Sequence, residues 1–297
     1  MNNEEWNYEV TPISTEYFKQ RSFGIVFDVF NTMQMSEDEL IKDYVEIIGS
    51  DELYESLKYH YDIVYSSILI KNYELLKDYF IWKYSVCISR NINVDCFLIE
   101  YEFWKKSVLN HLYASHGSEI NMIYSYLILN HEDLKTKAIN TKNIKINSKY
   151  QDLFDELLVC LLSGQKNEFY TLMKNDLVKF DNNVFLFIEE LIDPLMYKVG
   201  QMWQLNELSV AKEHLATSLI DEIINDFIKE NFLDDGSKPI AITSTVGDES
   251  HNLGIKIVGK FIESNGFSVK NLSSKISNKE LIDLAIKIKM KRKDLNN

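Results

Sequence analysis

The chain has 297 residues and a mass of 34.8 kDa, room for one large domain or two to three small ones. Hydrophobic residues make up 45% and charged residues 26%, a globular balance that excludes a disordered chain. The net charge of −13 argues against non-specific binding to nucleic acid or to an anionic membrane, and no apolar run approaches the ~20 residues that span a bilayer.

The amino-terminal residues Met1, Asn2, Asn3, Glu4 and Glu5 carry no basic region ahead of an apolar core, so no secretory leader is read here. Cys87, Cys96 and Cys160 are odd in number and have no C-x-x-C spacing, which supports neither a disulfide framework nor a thiolate zinc site. These features predict a reduced, cytoplasmic protein.

Glycines are sparse up to residue 163 (Gly24, Gly49 and Gly117) and cluster between Gly200 and Gly266. The first part therefore reads as helices and the last as strand–turn–helix units. Ser36 and Glu39 have capping-box spacing ahead of an apolar face of Leu40, Ile41, Tyr44, Ile47 and Ile48. Helical spacing continues over 52–70, 73–90, 94–114 and 119–130. Aromatic residues crowd two of these segments: Tyr73, Tyr79, Phe80, Trp82 and Tyr84, then Tyr101, Phe103 and Trp104. Such stripes predict a packed core or a dimer seam rather than a pocket. His60, His111 and His116 have no partners at ligand spacing and are read as core or surface histidines.

Residues 132–149 are polar without clear periodicity and include the linker. Four helices follow, over 150–163, 166–179, 182–202 and about 209–231, with Gly164 as a C-terminal stop and Pro194 predicting a kink. Short apolar β-rich runs at 240–246 and 267–272 alternate with helices at 250–264 and 278–291, the β-α-β-α order of a parallel sheet. The fold class is thus mainly α: a helical domain over 1–140, a four-helix bundle over 150–233, and an incomplete α/β domain over 238–297.

Two clusters carry chemistry. Trp203 ends one helix, and Glu213 and His214 open the next, which Ser209 caps. Gly247-Asp248-Glu249-Ser250-His251-Asn252-Leu253-Gly254 follows the first strand, where open α/β sheets bind their ligands. A loop histidine can present one ring nitrogen to a metal while a carboxylate such as Glu249 fixes the other. One histidine cannot hold bare zinc, but it can serve as axial ligand to a metal that arrives in its own macrocycle. Gly254 removes a side chain where a bulky ligand must pass the backbone.

From about 150 to 290 the sequence resembles the cobalamin-binding module, a helical cap followed by a Rossmann-like domain. That module occurs in methionine synthase, corrinoid methyl-transfer proteins and light-sensing B12-dependent regulators. Glu249, His251 and Gly254 match its D-x-H-x-x-G signature, with glutamate in place of aspartate. Trp203, Glu213 and His214 match the W-x9-E-H pattern of the light-sensing branch. The resemblance implies adenosylcobalamin or methylcobalamin as cofactor and His251 as lower axial cobalt ligand, with Glu249 as its orienting partner. It also implies that Gly254 lies beside the nucleotide tail and that Trp203, Glu213 and His214 face the upper ligand.

Departures from the family pattern stand beside the match. Leu272-Ser273 replaces the leucine–glycine that closes the second strand, and the family's later strands with their tail-binding serine have no counterpart before Asn297. The expected function is a cobalamin-binding sensor or regulator acting through a partner protein or homodimer, with no stand-alone catalysis. A corrinoid methyl-carrier subunit and a truncated, non-binding remnant are the alternatives. The basic stretch from Lys287 to Lys293 reads as a solvated helix face rather than a nucleic-acid tail.

Overall fold

The computed structural model describes residues 9–140, 148–231, 238–245, 252–272 and 276–295. The described chain is mainly helical and carries two short parallel strands. By its contacts it divides into two units, Met1–Asn143 with Gln201–Glu207, and Ile144–Gly200 with Leu208–Asn297.

The first unit contains α1 (Pro12–Gln20), α2 (Ser22–Gln34), α3 (Glu39–Ile48), α4 (Ser50–Leu69), α5 (Tyr73–Ser89), α6 (Cys96–His111), α7 (Ala114–Leu129) and α8 (His131–Ile139). The α3 cap falls at Asp38, not Ser36: Asp38 accepts from the N–H groups of Leu40 and Ile41, while Ser36 accepts from Asp38. A carboxylate there also meets the positive end of the helix dipole, so it displaces the serine. The helix α8 occupies the first part of the aperiodic stretch that holds the linker. His131, Leu134 and Ala138 form its buried face, hidden in the sequence among charged neighbours.

The aromatic stripes build this unit's core. Phe80, Tyr84, Phe97, Tyr101, Trp104 and Tyr124 are all fully buried, which accords with packing rather than a pocket. Side chains that bond to neighbouring backbone fix the helix positions: Tyr61 donates to Phe18 O at 2.7 Å and Ser107 to Ile25 O at 3.0 Å. Cys87, Cys96 and Cys160 are free and buried, and burial raises the Cys87 thiol to about 11.

In the second unit α9 (Gln151–Leu162) stops at Gly164, whose φ of +71° lets Gln165 N reach back to Cys160 O. After it come α10 (Lys166–Asp176) and α11 (Val184–Phe187), then a widened π turn over Ile188–Ile192 that leads into α12 (Asp193–Gln204). Pro194 has no N–H to offer the carbonyl four residues earlier, and the irregular turn lies just there. The long α13 (Val210–Asn231) completes the helical part.

Beyond it, β1 (Ile240–Ser244), α14 (Leu253–Ser264), β2 (Ser268–Leu272) and α15 (Asn278–Leu295) follow in the expected order. The strands pair in parallel, Ile240 with Ser268 through Ser244 with Leu272. α14 packs on them through Gly259, where a Cβ would come 3.3 Å from Val269 and 3.4 Å from Thr243 Oγ1. A capping box of Ser277 and Glu280 starts α15. Among the described residues, no helix is long and apolar enough to cross a membrane.

Candidate functional site

The end of α12 is a designed stop. Asn206 takes the left-handed conformation (φ +58°), and Glu207 N bonds back to Met202 O at 2.8 Å. Asparagine tolerates that backbone, so the helix closes without glycine. The segment Gln201–Glu207 belongs by its contacts to the first unit. There Ser89 donates to Gln204 O at 2.8 Å and Arg90 to Trp203 O at 3.5 Å, satisfying carbonyls that the helix end leaves open. The half-buried Trp203 ring stacks on Trp82 with centroids 6.3 Å apart, and the Arg90 guanidinium lies 5.2 Å from its centre.

Glu213 and His214 sit in the first turn of α13. Ser209 caps that helix, accepting from Lys212 N at 3.4 Å, and an acidic residue there suits the dipole. Glu213 Oε2 lies 3.0 Å from His214 Nδ1, while its other oxygen accepts from the Thr217 hydroxyl at 2.9 Å. The carboxylate is thus held by Thr217 and favours a proton on Nδ1 of the imidazole, which leaves the Nε2 lone pair as an acceptor. The His214 side chain is 70% exposed, so this is an oriented ring at the surface of its unit.

Glu249 and His251 lie outside the described residues. Gly254 is described: it is exposed in the first turn of α14, and a Cβ there would meet no described atom within 4 Å. Packing among the described residues therefore does not require glycine at this position, unlike Gly259. α14 is fixed within the second unit by Lys256, which pairs with Asp221 of α13, and by Phe261, whose ring meets Phe185 edge-on at 5.1 Å.

Residues 153–225 match the family model of the B12 binding domain. The match runs from α9 through most of α13 and includes Trp203, Glu213 and His214. It supports a cobalamin-binding module in this part of the chain. No curated protein matches the chain. The described residues are chemically compatible with such a ligand: an exposed imidazole oriented by an adjacent carboxylate, and an exposed glycine at Gly254 with no described atom near its Cβ position.

The structure also assembles polar groups that the sequence reading did not bring together. In the first unit Lys83 Nζ holds both Glu100 oxygens, at 2.7 and 3.0 Å, and both side chains are buried. Trp104 Nε1 donates to the same carboxylate at 3.2 Å. His60 stacks on Trp104 at 4.6 Å with neither ring nitrogen hydrogen-bonded, and burial, aided by the Lys83 charge, holds its pKa well below the usual range. Their sequence signal was a charge on each apolar stripe: Lys83 lies between Tyr79 and Cys87, and Glu100 between Cys96 and Trp104, at i, i+4 spacing.

Asp95, His131 and Glu132 bring possible ligand atoms within 4.8 Å of one another. The Lys135 ammonium lies 2.8 Å from the Asp95 oxygen that His131 also contacts at 3.0 Å. A fixed cation already meets that carboxylate, and the cluster reads as an ion-pair network rather than a metal centre.

Proposed function

We propose that the chain is a cobalamin-binding sensor or regulatory protein. The match of residues 153–225 to the B12 binding domain carries this reading, and the Glu213–His214 pair on the matched helix α13 supports it. In this reading 150–233 is the helical cap, 238–297 the nucleotide-fold part and 1–140 the signalling or dimerisation part, and the protein works in the cytoplasm.

His251 would hold the cobalt of a bound cobalamin, with Glu249 as the carboxylate that would orient the imidazole. A bound alkylcobalamin would supply a light-labile cobalt–carbon bond. The chain's own residues bind and orient. His214, set by Glu213, would face the upper ligand, as would Trp203, and Gly254 would leave room for the nucleotide tail. The output goes through a partner protein or a second copy, since the first 140 positions read without a helix-turn-helix flanked by basic residues and the net charge is adverse.

The test is to add adenosylcobalamin and hydroxocobalamin to the purified protein in darkness and to record visible spectra after desalting. Retained cofactor, with a change in spectrum or oligomeric state on illumination of the adenosyl form, supports the sensor. Retention without any response to light removes the light-sensing reading. Methyl transfer to an added acceptor would instead indicate a methyl carrier, and cofactor that washes away would indicate a non-binding remnant.

A further inference from the structure

Two surfaces of opposite character lie outside the residues matched by the B12 binding domain. In the first unit a cavity of about 400 Å³ opens between α3 and the turn that follows α5. The buried Tyr44 and Ile92 line its floor, the exposed Ile47 its wall, and Asp43 and Glu46 stand exposed at its mouth. Lys42, the cation next to them in sequence, pairs with Glu37 instead. The far side is built before anything docks. Asn91 takes the left-handed conformation (φ +60°), Ile92 N bonds back to Cys87 O at 3.0 Å, and the Asn93 side chain accepts from Asp95 N at 3.0 Å. A pre-formed groove spares its occupant the cost of ordering it.

The helix α15 carries the complementary surface. Ile282 and Ile286, one turn apart, are 59% and 50% exposed. Helical spacing puts Lys279 and Lys289, both exposed, on the same stripe as the two isoleucines. Leu281, Leu284 and Ile288 share a different face and are half-buried, so the isoleucines form a second apolar stripe that the helix leaves uncovered. In a chain of net charge −13 this helix is a local excess of positive charge, continued in the sequence by Lys291, Arg292 and Lys293.

We propose that α15 of one copy docks in the α3 groove of a second copy, with Ile282 and Ile286 over the apolar floor and the flanking lysines against Asp43 and Glu46. An apolar helix stripe laid in a groove is a recurrent mode of recognition, and opposite charges around the anchors fix partner and register. The occupant is a second copy because the chain itself carries both halves, matched in charge and in apolar character. An anionic lipid or nucleic-acid surface would attract α15 but repel the rest of so acidic a chain. Each copy holds one helix and one groove, so two copies that exchange helices close into a pair with two identical contacts. Neither cobalamin nor the residues that would hold it take part in this pairing.

The experiment measures self-association of the purified full chain without cofactor, by sedimentation velocity over a range of concentrations. Wild type is expected to pass from monomer to dimer. One variant reverses the groove (Asp43→Lys with Glu46→Lys) and a second reverses the helix (Lys279→Glu with Lys289→Glu); all four side chains are exposed, and circular dichroism checks the fold. Each variant alone should dimerise at least about tenfold more weakly. For the groove variant that loss runs against its reduced net negative charge, which by itself favours association. An equimolar mixture of the two should recover dimers, because the unchanged helix of one meets the unchanged groove of the other and the two reversed surfaces also match. Ile282→Ser with Ile286→Ser, which alters no charge, should weaken the dimer too and decides the matter if a reversed variant does not fold. A wild type that stays monomeric, a dimer that neither reversal nor the serine variant weakens, or folded reversed variants whose mixture stays monomeric would overturn the proposal.

Discussion

The indoles of Trp203 and Trp82 lie with their planes 24° apart and their centres 6.3 Å apart. The Arg90 guanidinium lies 5.2 Å from the centre of the Trp203 ring. A stacked aromatic pair contributes about 0.5–1.5 kcal/mol beyond the area it buries. A double-mutant cycle of Trp82→Ala and Trp203→Ala, read by urea denaturation, should give a coupling energy of that size. Strict additivity would show that the contact carries no energy.

Lys83 and Glu100 form a buried pair that neither partner can leave cheaply. Removing one strands the other's charge in the core, at a cost of about 3–5 kcal/mol, whereas apolar replacement of both can be nearly neutral. Lys83→Met is therefore expected to lower stability sharply, and Lys83→Met with Glu100→Leu to recover most of it. Trp104 loses its acceptor in the double variant, so recovery falls short of complete. If the double variant is less stable than the single one, the pair is not the source of the loss.

His60 predicts how stability depends on pH. In the unfolded chain an imidazole takes up its proton near pH about 6.5; in the fold His60 takes it only at much lower pH. Between those values the unfolded state binds more protons, so the stability conferred by a neutral His60 is full above about pH 6.5 and falls as pH drops. The slope from one such group is about 1.4 kcal/mol per pH unit. The groups around it are Lys83 and Glu100, which pair with each other, and the neutral phenols of Tyr79, Tyr101 and Tyr124. Denaturation of wild type and His60→Phe from pH 7 down to about 5 should show the gap between them shift in favour of the variant. Parallel curves would contradict this.

Gly254 separates folding from binding. With no described atom near its Cβ position, Gly254→Ala should stabilise the free protein slightly, by up to about 1 kcal/mol from helix propensity. The same substitution should weaken cobalamin binding if the tail passes that backbone. Melting temperature and equilibrium dialysis measure the two effects on one sample. An alanine variant that binds as tightly as wild type would remove Gly254 from the site.

The order of elements was legible because periodicity carries it. Ile240–Ser244, Leu253–Ser264 and Ser268–Leu272 stand close to their expected places, and the long helices of the first unit do as well. The α8 helix was not legible, since Glu132, Asp133, Lys135 and Lys137 mask a narrow buried face. Local cap competition could not be ranked either, which is why Ser36 was read in place of Asp38. At the candidate site, Ser209 capping and the adjacency of Glu213 and His214 were visible in the sequence. The Trp82 and Arg90 contacts of Trp203 were not, because their partners are distant along the chain and no spacing rule connects them.

The central claim is axial ligation by His251, and the visible spectrum of the bound cofactor reads it directly. Wild type and His251→Ala are loaded with hydroxocobalamin in darkness, desalted and compared. Retained cofactor with an imidazole-ligated spectrum in wild type, lost in the variant, is the result expected. Identical spectra in the two proteins, or no retention by wild type, would contradict the assignment.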